Sequence, residues 1–217
     1  MLSDAETCNE RHRFFTSCCN FIPGLLMHIT FAGMLTDMDK AAQIISQTKK
    51  WITDVVVGCN FCPFAGRAIK QNKVHYRVEP ATALSICLDS FLQECIRLDK
   101  EKMIETTLLI FPNAFQSFDD YLDLVGLAEN LLKQKEYEGI YQVASFHPLY
   151  LFAGSQNNDA ANYTNRSIYP MLHLLREESI EEALKRYPDP ELIPERNILF
   201  AHEKGTVYMK MLRDACL

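Results

Sequence analysis

The sequence predicts an α/β fold: a small sheet of about three to four strands with crossover helices and a helical C-terminal part. An α+β, ferredoxin-like arrangement is the alternative. Three observations predict this class. Short β-rich runs alternate with amphipathic helical ones between residues 74 and 146. Prolines or glycines stand at the ends of those runs. The 217 residues are 48% hydrophobic and 23% charged, the mix of a globular domain, which excludes wholesale disorder.

The elements follow in order. Ala41, Ile44, Ile45, Thr48, Trp51, Ile52, Val55 and Val56 recur at three- and four-residue steps, one apolar helix face, with Thr36 or Asp37 able to cap its start and Gly58 to end it. Gly58-Cys-Asn-Phe-Cys-Pro-Phe-Ala65 is a turn running into a short helix. Val74 to Glu79 alternates and is stopped by Pro80, the pattern of an edge strand. Leu84, Cys87, Leu88, Phe91, Leu92 and Cys95 mark an amphipathic helix, and Thr106 to Phe111 a buried strand ended by Pro112. Ser117 opens a third helix, with Leu124, Val125, Ala128, Leu131 and Leu132 inward. Ile140 to Phe146 is a further strand, halted at His147-Pro148. Pro148 to Ile168 reads as a long polar loop, a length that points to function or disorder. Two helical stretches are expected next, Pro170 to Glu178 and Ser179 to Tyr187, the second with Ser179 and Glu182 in capping-box spacing. Residues 189 to 215 read as helical, broken at Pro194 and Gly205.

Residues 1–37 differ from the rest. They hold Cys8, Cys18 and Cys19 and an apolar stretch, Phe14 to Met34, interrupted by Asn20, Pro23 and His28. Arg11 and Arg13 suit a targeting leader, but Asp4, Glu6 and Glu10 do not. The segment is expected to be an N-terminal extension or the product of an upstream start. Residues 38–217 would then form one domain of ordinary size. The stretch is too polar and short to span a membrane, so a cytoplasmic protein without a membrane partner is expected, targeting by the leader being the alternative.

The charge excludes a class as well. A net charge of −6 and a pI near 5.5 argue against a nucleic-acid partner held by a broad basic face. No glycine-rich phosphate loop, dinucleotide fingerprint or Gly-x-Ser-x-Gly elbow is present. One Cys-x-x-Cys pair, Cys59 and Cys62, lacks a second pair at zinc-ribbon spacing.

Cys62 is the most informative residue. With Pro63 at the first helical position, Cys62 would be the N-cap, where free N–H groups and the helix dipole favour thiolate. A buried thiol that merely packs is the plain alternative. His147 follows a strand, where open α/β sheets bind ligands, although a histidine before proline also simply ends a strand. On a helix, His173, Arg176 and Glu177 would share one face at i, i+3 and i+4 and could reach a metal or an anion; a solvated polar stripe has the same spacing. Asp159 and Arg166 add an acid and a cation on the long loop.

Several blocks together resemble the DUF1415 family of uncharacterised, mostly bacterial proteins: Gly58 to Ala65, Gln142-Val-Ala-Ser-Phe-His-Pro148, Phe152-Ala-Gly154, Asn162-Tyr-Thr-Asn-Arg-Ser167 and Tyr169-Pro-Met-Leu-His-Leu-Leu-Arg-Glu177. The resemblance runs from about Ala41 to Gly205. It implies no reaction, but its motif wording matches Cys62, His147, Asn165, Arg166, His173, Arg176 and Glu177. The family pattern has an aliphatic residue at the position of Cys59, which turns the reading away from a Cys-x-x-Cys redox pair.

The leading expectation is an enzyme, a hydrolase or transferase, with a polar pocket acting on a small anionic molecule. Cys62 would be the nucleophile, His147 or His173 the general base, and Asn165, Arg166 and Arg176 the substrate-binding groups. In the metal-dependent version, Cys62, His147, His173, Glu177 and Asp159 would hold a divalent ion such as zinc. A non-catalytic anion- or ligand-binding domain is the alternative.

Overall fold

The computed structural model describes the backbone from Gly24 and the side chains from Thr36. The chain forms two compact units, Met1–Met38 and Asp39–Leu217. In the first, the described backbone is helical; the cysteines and basic residues read as a leader lie outside the described residues.

Helix α1 (Gly24–Trp51) passes into a π-helical segment, Ile52–Val57, closed at Gly58. Thr36 and Asp37 lie inside α1 rather than at its start, because the helix is already formed from Gly24. Only glycine fits at 58: a Cβ there would stand 2.2 Å from the carbonyl oxygen of Asp54. Then come α2 (Ala65–Lys70), β1 (Val74–Val78), α3 (Leu84–Lys100), β2 (Thr106–Ile110), α4 (Phe118–Gln134) and β3 (Tyr141–Phe146), close to the boundaries the sequence predicts.

The next segment overturns an expectation. Met171–Arg176 is a strand, β4, not a helix, and α5 (Glu177–Leu184) begins directly after it. The four strands form one mixed sheet in the order β1-β2-β4-β3. β1 and β2 are parallel, while β4 runs antiparallel to both β2 and β3. An α/β sheet with crossover helices and a helical C-terminal part is therefore present, with one antiparallel strand inserted at its centre. The reason for the misread is position: β4 is covered on both faces, so Met171, Leu172 and Leu174 are all buried and alternation is lost.

Two hydrophobic layers sandwich the sheet. On one face α3 and α4 pack Phe91, Cys95, Leu98, Tyr121 and Leu124 onto Leu109, Phe111, Leu172 and Leu174. On the other, Trp51, Val55 and Val56 join Met209 and Cys216 against Leu108, Ile110 and Met171. The edge strand β1 turns His75 and Arg77 toward Glu94, a fully buried carboxylate of α3 that also receives Arg97.

The segment 148–168 is ordered. It contains a 3₁₀ turn, Ala160–Thr164, and buries Asn162, Tyr163, Arg166 and Ser167, because its amides and guanidinium bond the loop to itself (below). A 3₁₀ turn at Pro190–Leu192 precedes α6 (Ile193–Asp214), which kinks at Gly205 (φ 77°). Pro194 starts this helix rather than breaking it, as a proline in the first turn can. Among the described residues no helix is long and apolar enough to cross a membrane.

Candidate functional site

Strand alternation builds the floor of a cavity on the second sheet face. Thr106 and Leu108 of β2, His173 and Leu175 of β4, and Gln142, Ala144 and Phe146 of β3 all point the same way. Register sets His173 between Leu108 on one neighbouring strand and Ala144 on the other. Trp51, Ile52 and Val56 form one wall; Cys62, Phe64, Ala65 and Ala68 form another, and Ile180 and Ala183 of α5 a third. The cavity volume is about 300 Å³, at the small end of ligand sites, and its lining is overwhelmingly apolar. Phe64 meets Tyr187 edge-on at 5.5 Å, tying the α2 turn to the chain just beyond α5. At the rim Glu105 accepts from Lys73 at 2.7 Å and lies 3.5 Å from Arg67.

Three of the predicted site residues line the cavity, Cys62, His173 and Arg176, the last with its guanidinium turned away from it. His173 Nε2 lies 2.6 Å from Thr106 Oγ1. Burial among apolar side chains lowers the imidazole pKa to about 4, so the ring is neutral at pH 7. Burial also pushes the Cys62 thiol up; the Phe64 and Ala65 N–H groups directed at its sulfur oppose this without reversing it. This corrects the expected thiolate. The helix starts at Ala65 with Phe64 as its cap, and six residues make a weak dipole. Cys62 stands ahead of the helix, where desolvation wins.

The other predicted residues are engaged elsewhere. His147 is 1% exposed; its Nε2 donates to the Phe115 carbonyl at 2.8 Å and its Nδ1 accepts from Leu149 N–H at 3.0 Å. The ring packs on Tyr121 at 4.9 Å, and burial lowers its pKa. Arg166 donates to the Tyr150 carbonyl (2.9 Å) and to the carbonyl and side-chain oxygens of Asn157 (3.0 and 2.7 Å), and lies over Tyr163. Asn165 donates to the Ser145 carbonyl at 3.3 Å. Asp159 caps the 3₁₀ turn through Ala161 N–H at 2.8 Å and pairs with His202 at 2.8 Å; those two contacts hold its carboxyl below the usual range.

The expected helical face of His173, Arg176 and Glu177 does not exist. On a strand, an odd offset sends side chains to opposite faces. His173 faces the cavity while the Arg176 guanidinium reaches the other side, to the Leu98 and Ile104 carbonyls and Tyr141 Oη. Glu177 opens α5 and does not line the cavity. Among the described residues no group of three or more His, Cys, Asp or Glu side chains could hold a metal ion. The ligand set expected from the sequence (Cys62, His147, His173, Glu177, Asp159) is therefore not assembled.

Sequence reasoning missed Thr106, Trp51, Gln142 and the Arg67–Glu105 pair. For Thr106 a signal existed: Thr106 and Thr107 are hydroxyl residues opening an otherwise aliphatic strand. The rest become neighbours only through the sheet.

No curated protein and no solved structure matches the chain. One family model does, described as "Protein of unknown function (DUF1415)", over residues 43–211, a span that contains the entire cavity. The chain belongs to the DUF1415 family.

Proposed function

We propose that this domain binds a small, largely apolar organic molecule in the cavity beneath α2 and α5, with His173 as its polar contact. The observation that carries this reading is a neutral imidazole set into the floor of an otherwise apolar chamber of about 300 Å³. Arg166 and Arg176, the cations expected to hold an anion, both donate to protein oxygens, which favours the ligand-binding alternative over an anion-specific enzyme. The test is fluorescence titration with the neutral apolar probe N-phenylnaphthylamine. Ala144→Trp, which fills the floor beside His173, should abolish binding, and Ala183→Trp on α5 should weaken it. Undiminished binding by both folded variants would sink the proposal.

A second reading rests on Cys62 sharing the chamber with His173. There the thiol would attack the carbonyl of an ester, its proton passing through His173 to the departing alkoxide, and transfer of the acyl group from sulfur to water or to a second nucleophile would complete a hydrolase or transferase cycle. Incubation with a para-nitrophenyl alkanoate should then leave an acyl group on Cys62, seen by mass spectrometry. Absence of that adduct, or its persistence in His173→Phe, would remove this chemistry.

A further inference from the structure

Thr106 has one hydroxyl proton to give. Its Oγ1 lies 2.7 Å from the Leu174 carbonyl oxygen, which can only accept, so the proton is directed there. His173 Nε2 stands 2.6 Å from the same Oγ1, and with that proton engaged the contact requires the ring to be the donor. His173 is thus the Nε2–H tautomer, with a lone pair left on Nδ1. Nδ1 has no hydrogen-bond partner among the described residues. The partnerless side-chain atoms sealed from solvent are Thr48 Oγ1, Trp51 Nε1 and Thr107 Oγ1. Nδ1 is not one of them, so it keeps contact with open space, and the space this side chain lines is the cavity.

Resting on the ligand-binding reading above, we propose that the cavity selects a neutral molecule with an apolar body and one hydrogen-bond donor, a hydroxyl or uncharged N–H, accepted by His173 Nδ1. Thr106 is the positioning residue that fixes the tautomer and hence the specificity. A carboxylate offers no proton at neutral pH and would set its lone pairs against that of Nδ1. An ether or ketone does the same without the charge. An ammonium ion would bring its charge into an apolar chamber, while the one carboxylate among the lining residues, Glu105, is already paired with Lys73.

The test uses the full chain and three matched probes: para-butylphenol, para-butylanisole and para-butylbenzoate. The phenol should bind roughly tenfold more tightly than the anisole, the value of one well-placed hydrogen bond in a buried site, with the benzoate weakest. His173→Phe should equalise phenol and anisole. In Thr106→Val the preference should shrink while anisole binding stays near wild type. Independently of any variant, the imidazole ¹⁵N shifts of the wild-type protein should show His173 protonated at Nε2, with Nδ1 responding to the phenol. Equal affinity for phenol and anisole, or a proton on Nδ1, overturns the proposal. Failure of all three probes to bind instead overturns the ligand-binding reading on which it stands.

Discussion

His173 Nε2 lies 2.6 Å from Thr106 Oγ1, across the antiparallel β2–β4 ladder, and the threonine hydroxyl lies 2.7 Å from the Leu174 carbonyl. A threonine on one strand thereby orients an imidazole on the next, in a place where apolar neighbours keep that imidazole uncharged.

The uncharged ring makes stability pH-dependent. An imidazole with a pKa near 4 folded and 6.5 unfolded takes up more protons in the unfolded chain between those values. Its contribution is therefore complete above about pH 6.5 and is lost as pH falls toward 4. His147, also lowered by burial, adds in the same direction. Urea midpoints should fall from pH 7 to pH 4.5, and His173→Phe should flatten part of that slope. Identical slopes for wild type and variant would contradict a neutral His173.

Cys62 should behave as a shielded thiol. Burial raises its pKa, so the iodoacetamide rate plotted against pH should inflect above the value of a free thiol, about 8.5. Occupation of the cavity by a neutral apolar probe should slow it further. An inflection below that of a free thiol would restore the thiolate reading.

Arg176 should matter for stability and not for ligands. Replacing it with Met leaves the carbonyls of Leu98, in the last turn of α3, and of Ile104, in the loop beyond it, without this donor, a loss of about 2 kcal/mol in urea denaturation. Binding of N-phenylnaphthylamine should stay within a factor of about three, a shift of well under 1 kcal/mol. Unchanged stability with abolished binding would mark Arg176 as a ligand-contacting residue instead.

His147 should give the same pattern. His147→Phe keeps the packing on Tyr121 and Phe118 but orphans the Phe115 carbonyl and the Leu149 N–H. Destabilisation of about 1–3 kcal/mol is expected, with probe affinity retained. A variant as stable as wild type would refute the structural role assigned to this ring.

Much of the fold is legible in the residues. Alternation at Val74–Val78 and the punctuation at Pro80, Ser117 and Pro148 mark β1, α3, β2, α4 and β3 close to their observed limits. Amphipathic spacing suffices there because each helix has one wet face and one dry face. β4 escapes such reasoning. Met171-Leu-His-Leu-Leu-Arg176 is apolar on both sides and six residues long, a run whose spacing fits a helix turn as well as a covered strand.

The site depended on that one element. Read as a helix, His173, Arg176 and Glu177 converge; as a strand they part, one into the cavity, one toward α3 and one into α5. Composition and local pattern by themselves determined the α/β class, the order of most elements, and Cys62 and His173 as residues of interest. Only the tertiary structure decided that these two share an apolar chamber while His147, Arg166 and Arg176 are bound into the framework. Pattern records how a side chain is spaced from its own neighbours; its hydrogen-bond partners and its solvation come from strands and loops distant in sequence, and those set whether a polar group is free to meet a ligand.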